Sequence, residues 1–229
     1  MIYLTGDTHG ELEISKLSKK SLSSKGINPK EGDYVIIAGD FGLIWNSQAT
    51  SSERYWLKWL DDKPFKTLFV DGNHENFYRL NGYPVERWHG GDVHCISKKV
   101  LHLMRGSIFE IAGKTIFVFG GAASHDRAWR TRGASWWPQE MPSEDELAHA
   151  VNALASYENK VDYIITHCAP SLIQARLSFS YERDRLTEFF EYLRETVSFT
   201  TWYFGHYHVD RSFKDGFVAL YDNVTLLGK

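Results

Sequence analysis

The chain contains 229 residues, of which 43% are hydrophobic and 15% are aromatic, and it carries a formal net charge of −3 at pH 7. This length suits one α/β domain with an extensive core, and we expect a single domain over residues 1–229. The small negative charge argues against a general nucleic-acid-binding surface and against attraction to anionic membranes, so a phosphate group would have to be bound at a local site.

The chain starts with MIYLTGD, which has a strand pattern and lacks the features of a signal peptide. No apolar run approaches the roughly 20 residues that span a bilayer. We therefore expect a cytoplasmic protein without a membrane partner. In that compartment its two cysteines, Cys95 and Cys168, are expected to be reduced thiols. The sequence leaves the oligomeric state open.

Six short apolar segments, rich in β-branched and aromatic residues, have the length of buried strands. In chain order they cover residues 2–7, 34–40, 67–74, 115–121, 162–167 and 201–206. Amphipathic helices are predicted over residues 53–63, 142–158 and 183–197, and a weaker basic helix with a solvated face over residues 11–25. The strand pattern returns at residues 216–227, so the end of the chain should complete a sheet. This alternation predicts an α/β fold.

Polar side chains with metal-binding chemistry stand at the ends of five of these strands. In open α/β sheets, ligands bind beyond the carboxyl ends of the strands. The residues found there are Asp7, His9, Asp40, Asn73, His74, His167, His206 and His208. In a β conformation residues i and i+2 point to the same face, so His206 and His208 are expected to face one space.

The chemistry of these side chains indicates a catalytic metal site. Imidazole and carboxylate ligands with one amide oxygen suit Mn, Fe, Zn or Ni, and they suit neither a structural Cys-type zinc site nor an all-oxygen calcium site. Seven ligands are too many for one tetrahedral ion. They suit two ions that share a carboxylate and leave positions open for water.

The motifs D-x-H-G, G-D, G-N-H-E, T-H and G-H-x-H follow one another in this order between Asp7 and His208. This ordered set resembles the calcineurin-like metallophosphoesterase superfamily. The resemblance implies an α/β fold with a central β-sandwich of two mixed sheets flanked by helices. It also implies two divalent transition metal ions, for which we expect Mn to support activity in vitro.

By this resemblance, each motif residue has a role. The first metal ion would be held by Asp7, His9, Asp40 and His208, and the second by Asp40, Asn73, His167 and His206. Asp40 would bridge the two ions, which would activate a bridging hydroxide for in-line attack on phosphorus. His74 matches the family's non-ligand histidine, which contacts the phosphate and protonates the leaving oxygen.

The second motif departs from the pattern of the Ser/Thr protein phosphatases, which continue it as G-D-x-x-D-R-G. In GDFGLIW, Leu43 stands where the later Asp would orient the catalytic histidine, and Ile44 stands where the Arg would be. This departure argues against a protein phosphatase. Asp71 and Glu75 are the acidic residues nearest His74 in the sequence.

The segment of residues 122–142 follows a predicted strand at the same sheet edge and contains three arginines, Arg127, Arg130 and Arg132, interleaved with tryptophans. These arginines are candidates for binding the substrate phosphate, with the tryptophans as stacking surfaces. The alternative is a surface loop whose tryptophans fold onto the core. His125 and Asp126 lie in this segment, but the set of seven ligands is complete without them.

The sequence therefore predicts a metal-dependent phosphoesterase acting on a small phosphomonoester or phosphodiester, nucleotide-like esters included. The alternatives are a Ser/Thr-type protein phosphatase and a non-catalytic metal-binding scaffold of the same fold. A metallo-β-lactamase-like hydrolase would need a compact H-x-H-x-D-H run, which the sequence lacks.

Overall fold

The computed structural model describes residues 1–178 and 180–228. Its strands, in chain order, are β1 (Ile2–Thr5), β2 (Tyr34–Ile37), β3 (Lys66–Phe69), β4 (Val85–Trp88), β5 (Gly91–Cys95), β6 (Val100–Leu103), β7 (Ile108–Ile111), β8 (Lys114–Phe119), β9 (Tyr163–Thr166), β10 (Thr201–Phe204), β11 (Arg211–Ser212), β12 (Phe217–Ala219) and β13 (Thr225–Leu226). The α-helices are α1 (Lys19–Ser24), α2 (Ser51–Asp61), α3 (Phe77–Leu80), α4 (Glu144–Ser156), α5 (Ser171–Ala175) and α6 (Arg185–Thr196).

The strands form two mixed sheets. The first has seven strands in the order β13-β1-β2-β3-β6-β5-β4, and the second has six in the order β11-β12-β10-β9-β8-β7. The central pairs are parallel in both sheets, namely β1 with β2, β2 with β3, β8 with β9, and β9 with β10. Parallel strands leave their carboxyl ends at a common edge, which positions the loops that carry the polar motifs. The predicted α/β fold with two mixed sheets flanked by helices is confirmed.

The two sheets pack face to face, with helices on their outer faces. Along β1, Leu4 packs into the core between the sheets, whereas Tyr3 packs into the outer core that also contains Leu17 and Leu22. Along β10, Tyr203 faces the inner core, and Trp202 packs outward with Phe190 of α6. Both faces of these strands are buried, which explains their continuous apolar sequences.

The three long predicted helices are confirmed by α2, α4 and α6. Each begins at a side chain that accepts a hydrogen bond from a backbone N–H of the first turn: Thr50 for α2, Ser143 for α4 and Asp184 for α6. Ser143 and Glu146 form the reciprocal capping box that the sequence predicts. In the described part of the chain, none of the helices combines the length and apolar character needed to cross a bilayer.

The predicted helix over residues 11–25 is confirmed only in part, because the segment is divided into short helical pieces. This segment forms two 3-10 turns, Gly10–Leu12 and Ile14–Leu17, before the short helix α1. Ile14 and Leu17 are fully buried against the outer face of the first sheet, so the segment covers the hydrophobic core on that side.

Candidate metal centre

The structure brings the predicted ligands of both sheets to one edge. Asp7, Asp40 and Asn73 lie within four residues of the ends of β1, β2 and β3, and His167 and His206 follow β9 and β10. His167 Nε2 lies 3.3 Å from Asp40 Oδ1 and 3.3 Å from Asn73 Oδ1. Ligands from the first sheet therefore meet a ligand from the second across the carboxyl edge of the sandwich.

A first cluster joins Asp7, His9 and His208, whose ligand atoms all lie within 4.8 Å of one another. His208 Nε2 is 3.1 Å from Asp7 Oδ2, and His9 Nε2 is 3.4 Å from Asp40 Oδ2. These four side chains are those expected to hold the first ion. Their oxygen and nitrogen atoms converge on one space, as ligands of one ion must.

A second cluster surrounds Asp40 Oδ1. Asp7, Asp40 and His167 form another group of ligand atoms within 4.8 Å of one another. His206 approaches from the side, with its ring centroid 4.9 Å from that of His167. Asp40 thus contacts His9 through Oδ2 and His167 through Oδ1, so its carboxylate lies between the two predicted ligand sets.

Hydrogen bonds orient the ligands of the second cluster. His167 Nδ1 lies 2.9 Å from the backbone carbonyl of Ala38, which places the proton on Nδ1 and leaves Nε2 as the free ligand atom. Asn73 donates its amide N–H to Ser124 Oγ over 3.2 Å, which turns its oxygen toward His167. Sequence patterns give no sign of Ser124, because this contact depends on how residues 122–142 return to the sheet edge.

Glycines precede several ligands because a side chain there would collide with a neighbouring ligand. A Cβ at Gly72 would lie 2.0 Å from Asp40 Oδ1, and one at Gly205 would lie 2.3 Å from Asp7 Oδ1. A Cβ at Gly39 would lie 2.0 Å from His167 Nδ1. The glycines of the G-D, G-N-H and G-H motifs therefore make room for carboxylates and an imidazole at close range.

The backbone is strained at four of the predicted ligands. His9, Asp40, His206 and His208 have φ angles of 42°, 45°, 70° and 48°. Positive φ is uncommon for residues other than glycine and costs about 1–3 kcal/mol at each position. Such conformations persist where the surrounding structure enforces them, and here they coincide with the ligand cluster.

The charges of the cluster fit divalent cations. Burial opposes the charge on His9, but hydrogen bonding and charge interaction with Asp40 raise its pKa to about 9. Burial likewise opposes the charge on His167, but Asp40 and Asp7 raise its pKa to about 10. Burial would raise the pKa of Asp40, yet His167 and His9 hold it well below its usual range. The carboxylates thus create a negative site that binds protons when no other cation is present.

One atom of this cluster is left without a hydrogen bond. Asp7 is fully buried, and its Oδ2 has no hydrogen-bond partner among the described residues, although His208 Nε2 lies 3.1 Å away. An unpaired buried carboxylate oxygen is unfavourable unless a cation satisfies it. This orphaned oxygen, together with the donor set of imidazoles, carboxylates and an amide oxygen, fits a divalent transition metal ion.

His74 lies at the edge of the first cluster, with its ring centroid 5.2 Å from that of His9. Its backbone N–H donates to Asp40 Oδ1 over 2.8 Å, and Trp45 stacks on its ring at 5.6 Å between centroids. Burial, together with the charges of Arg130 and His9, lowers the pKa of His74 despite the opposing effect of Asp40. His74, His9 and Asp40 form a third group whose ligand atoms lie within 4.8 Å of one another, so this imidazole adjoins the candidate ligands.

Neither acidic neighbour of His74 in the sequence orients its ring through a hydrogen bond. Asp71 binds Arg105 and His102, and Glu75 accepts a hydrogen bond from the backbone of Gly42. Leu43 and Ile44 are buried in the outer core of the first sheet. Trp45, two positions beyond Leu43, supplies the contact instead, and the sequence interpretation missed it.

The segment of residues 122–142 contributes one arginine to the site. Arg130 Nη2 lies 3.3 Å from His74 Nε2, and its guanidinium is fixed by an ion pair with Asp126 (2.6 Å) and a bond to the carbonyl of Ser135. Arg127 instead lies over the Trp136 ring at 4.8 Å, and Arg132 is exposed. The stacking of an indole under Arg127 and the burial of Trp137 show that part of this segment folds on itself and onto the core.

A cleft of ≈ 580 Å³ opens beside His9 and His74. Its lining contains no lysine or arginine: His9, Gly10, Glu11, Leu12, Gly42, Leu43, Trp45, Asn46, Thr50, Ser52, Glu53 and His74. This volume lies in the range of small-molecule sites. The metal cluster therefore has an adjoining space for an organic group.

The comparisons with known proteins agree with this geometry. The sequence profile of the family described as "Calcineurin-like phosphoesterase" matches residues 1–210. The match includes all eight motif residues and ends before the last three strands, β11, β12 and β13. No curated protein matches the chain significantly.

Proposed function

The chain belongs to the calcineurin-like phosphoesterase family, and on this premise we propose that it hydrolyses small phosphomonoesters or phosphodiesters with a dinuclear metal centre. At the level of the family it is a metal-dependent phosphoesterase. The observation that carries the dinuclear proposal is the placement of Asp40, whose two oxygens contact His9 and His167 separately. A carboxylate shared in this way suits a bridging ligand.

In this proposal Asp7, His9 and His208 hold one ion, Asn73, His167 and His206 hold the other, and Asp40 bridges them. Two bound divalent cations would activate a water molecule, orient it for in-line attack on phosphorus and neutralise charge on the phosphoryl oxygens. The raised pKa values of His9 and His167 support cation binding, because they reflect the negative charge of Asp40 and Asp7.

His74 and Arg130 are proposed to act on the phosphate ester itself. Arg130 is held by Asp126 so that Nη2 faces His74, and a guanidinium so placed can donate hydrogen bonds to phosphoryl oxygens. A phosphate anion beside His74 would favour its protonated form, from which Nε2 can protonate the leaving oxygen. Trp45 keeps the imidazole plane fixed during this transfer.

The cleft beside His74 is proposed to receive the organic group of the ester. Its lining has no lysine or arginine that could pair with further phosphates, so it favours an uncharged organic group. Nucleoside monophosphates and simple diesters meet this requirement. A phosphoprotein substrate has less support, because Leu43 and Ile44 are buried core residues at the positions where protein phosphatases carry Asp and Arg.

Turnover of defined esters tests this proposal. The purified protein, loaded with Mn, is assayed on p-nitrophenyl phosphate, bis-p-nitrophenyl phosphate and a panel of nucleoside monophosphates, with metal-stripped protein as the control. We expect hydrolysis that depends on added metal. A fully metal-loaded protein that hydrolyses none of these esters would contradict the proposal and favour a non-catalytic scaffold.

A further inference from the structure

Tyr221 lies flat against His208. Their ring centroids are 4.7 Å apart and the planes differ by 14°. The side chain of His208 is 50% exposed, whereas that of His167 is fully buried. A half-exposed imidazole rotates freely unless a neighbour restrains it, so the stacked phenol ring is a restraint that His167 does not need.

The hydroxyl of Tyr221 connects this restraint to a second ligand. It donates to Glu13 Oε1 over 2.5 Å, and Glu13 Oε2 lies 3.2 Å from His9 Nδ1. A carboxylate at Nδ1 keeps the proton on that nitrogen and leaves Nε2 free to bind metal. One carboxylate thus links the two imidazoles assigned to the first ion.

The backbone around Tyr221 is anchored to the same motifs. Lys16 Nζ donates to the carbonyl of Asp7 over 2.5 Å and to the carbonyl of Tyr221 over 2.7 Å. Asp210, two residues beyond His208, accepts a hydrogen bond of 2.8 Å from the Tyr221 backbone N–H. These bonds fix the Tyr221 backbone next to both metal-binding loops, and the bond from its hydroxyl to Glu13 restrains the ring.

We propose that Glu13 and Tyr221 are positioning residues for the first metal ion, which hold His9 and His208 in the orientation that binds it. This inference rests on the proposed dinuclear centre. Tyr221 lies beyond residues 1–210, the part of the chain that matches the family. The residue that restrains His208 therefore comes from outside the matched part. The second ion depends less on this pair, because Ala38 and Ser124 orient two of its proposed ligands, His167 and Asn73.

The test is titration of the metal-stripped protein with Mn, followed by calorimetry and by electron paramagnetic resonance of the bound ion. Tyr221→Leu removes the stacked ring, Tyr221→Phe keeps the ring and loses the hydroxyl, and Glu13→Gln weakens the link to His9. Tyr192→Leu is the control, because Tyr192 is 49% exposed on α6, away from the ligands.

We expect Tyr221→Leu and Glu13→Gln to weaken one of the two Mn equivalents by about 10–100-fold, the usual effect of losing an outer support of a metal ligand. The other equivalent should weaken much less, and the metal-free proteins should still unfold in one cooperative transition. Tyr221→Phe should have a smaller effect, and Tyr192→Leu none. In a His206→Ala background, Tyr221→Leu should weaken the equivalent that remains.

Two results would overturn the inference: a Tyr221→Leu protein that titrates like the wild type, or equal weakening of both equivalents. Failure of the proposed function looks different. In that case the wild-type protein itself takes up fewer than two equivalents of Mn, whatever residue stands at position 221.

Discussion

Replacing Gly72 with alanine should disable the metal centre by steric contact alone. The added Cβ would lie 2.0 Å from Asp40 Oδ1 and 2.4 Å from the Asp40 backbone nitrogen, whereas ordinary contacts begin at 3.4 Å. The carboxylate would have to move by about 1.4 Å, the difference between 3.4 and 2.0 Å. Metal ligands tolerate deviations of only about 0.2 Å, so both ions should be lost.

The stability effect of Gly72→Ala should be moderate, about 1–3 kcal/mol in the free energy of unfolding, as for other overpacked sites. The assay is elemental analysis of Mn after dialysis, with chemical denaturation of the metal-free protein beside it. Gly82→Ala is the matched control, because its Cβ would approach no atom more closely than the Arg79 carbonyl at 3.3 Å and the Tyr78 carbonyl at 3.6 Å. A Gly72→Ala protein with wild-type metal content and turnover would refute the assigned position of Asp40.

Three further predictions concern the ester and the effect of pH. His74→Ala should leave Mn content unchanged and slow esters with poor leaving groups more than p-nitrophenyl esters in steady-state assays; equal slowing would argue against an acid role. Arg130→Ala should lower kcat/KM by about 10–100-fold, while Arg132→Ala, at an exposed position, should leave it unchanged; similar losses in both would contradict a specific phosphate contact. In the metal-free protein His9 and His167 have raised pKa values of about 9 and about 10, so their protonated forms stabilise the fold, fully so below pH 6.5, the ordinary pKa of histidine. This stabilisation is lost as the pH rises through 9 to 10, so the thermal midpoint of the metal-free protein should fall between pH 6.5 and pH 10. A constant midpoint would count against the interaction of these two histidines with Asp40 and Asp7.

The metal-binding edge of the fold could be predicted from sequence because its causes are local. Strands buried on both faces have continuous apolar sequences, so the sequence identifies six of them: β1, β2, β3, β8, β9 and β10. The polar residue after each run then falls at a common edge whenever the strands are parallel. Asp7, Asp40 and His167 meet for this reason, although they are far apart in the chain.

Other parts of the fold carry weaker local signals. β4 is an edge strand whose residues Val85, Glu86 and Arg87 are exposed, so no apolar run marks it. The segment of residues 11–25 has helical spacing, but the 3-10 turns near His9 are imposed by packing of Ile14 and Leu17 on the first sheet. Here tertiary packing overrides the local pattern.

The residues that contact and orient the candidate ligands could not be predicted, because their positions depend on the paths of the loops in three dimensions. Trp45 reaches His74 only through the path of the loop after β2, and Tyr221 reaches His208 only after the chain has added β12. Glu13 stands four residues from His9, a spacing that helical turns make adjacent, but no pattern indicates that it also accepts from Tyr221.

The positions of the bound metal ions would show whether the centre is dinuclear. Crystals of the Mn-loaded protein, measured at the Mn absorption edge, should show two anomalous peaks that flank the Asp40 carboxylate. One peak should lie beside His9 and His208, and the other beside His167 and His206. A single peak, or two peaks that do not share Asp40, would contradict the dinuclear centre on which the proposed hydrolysis depends.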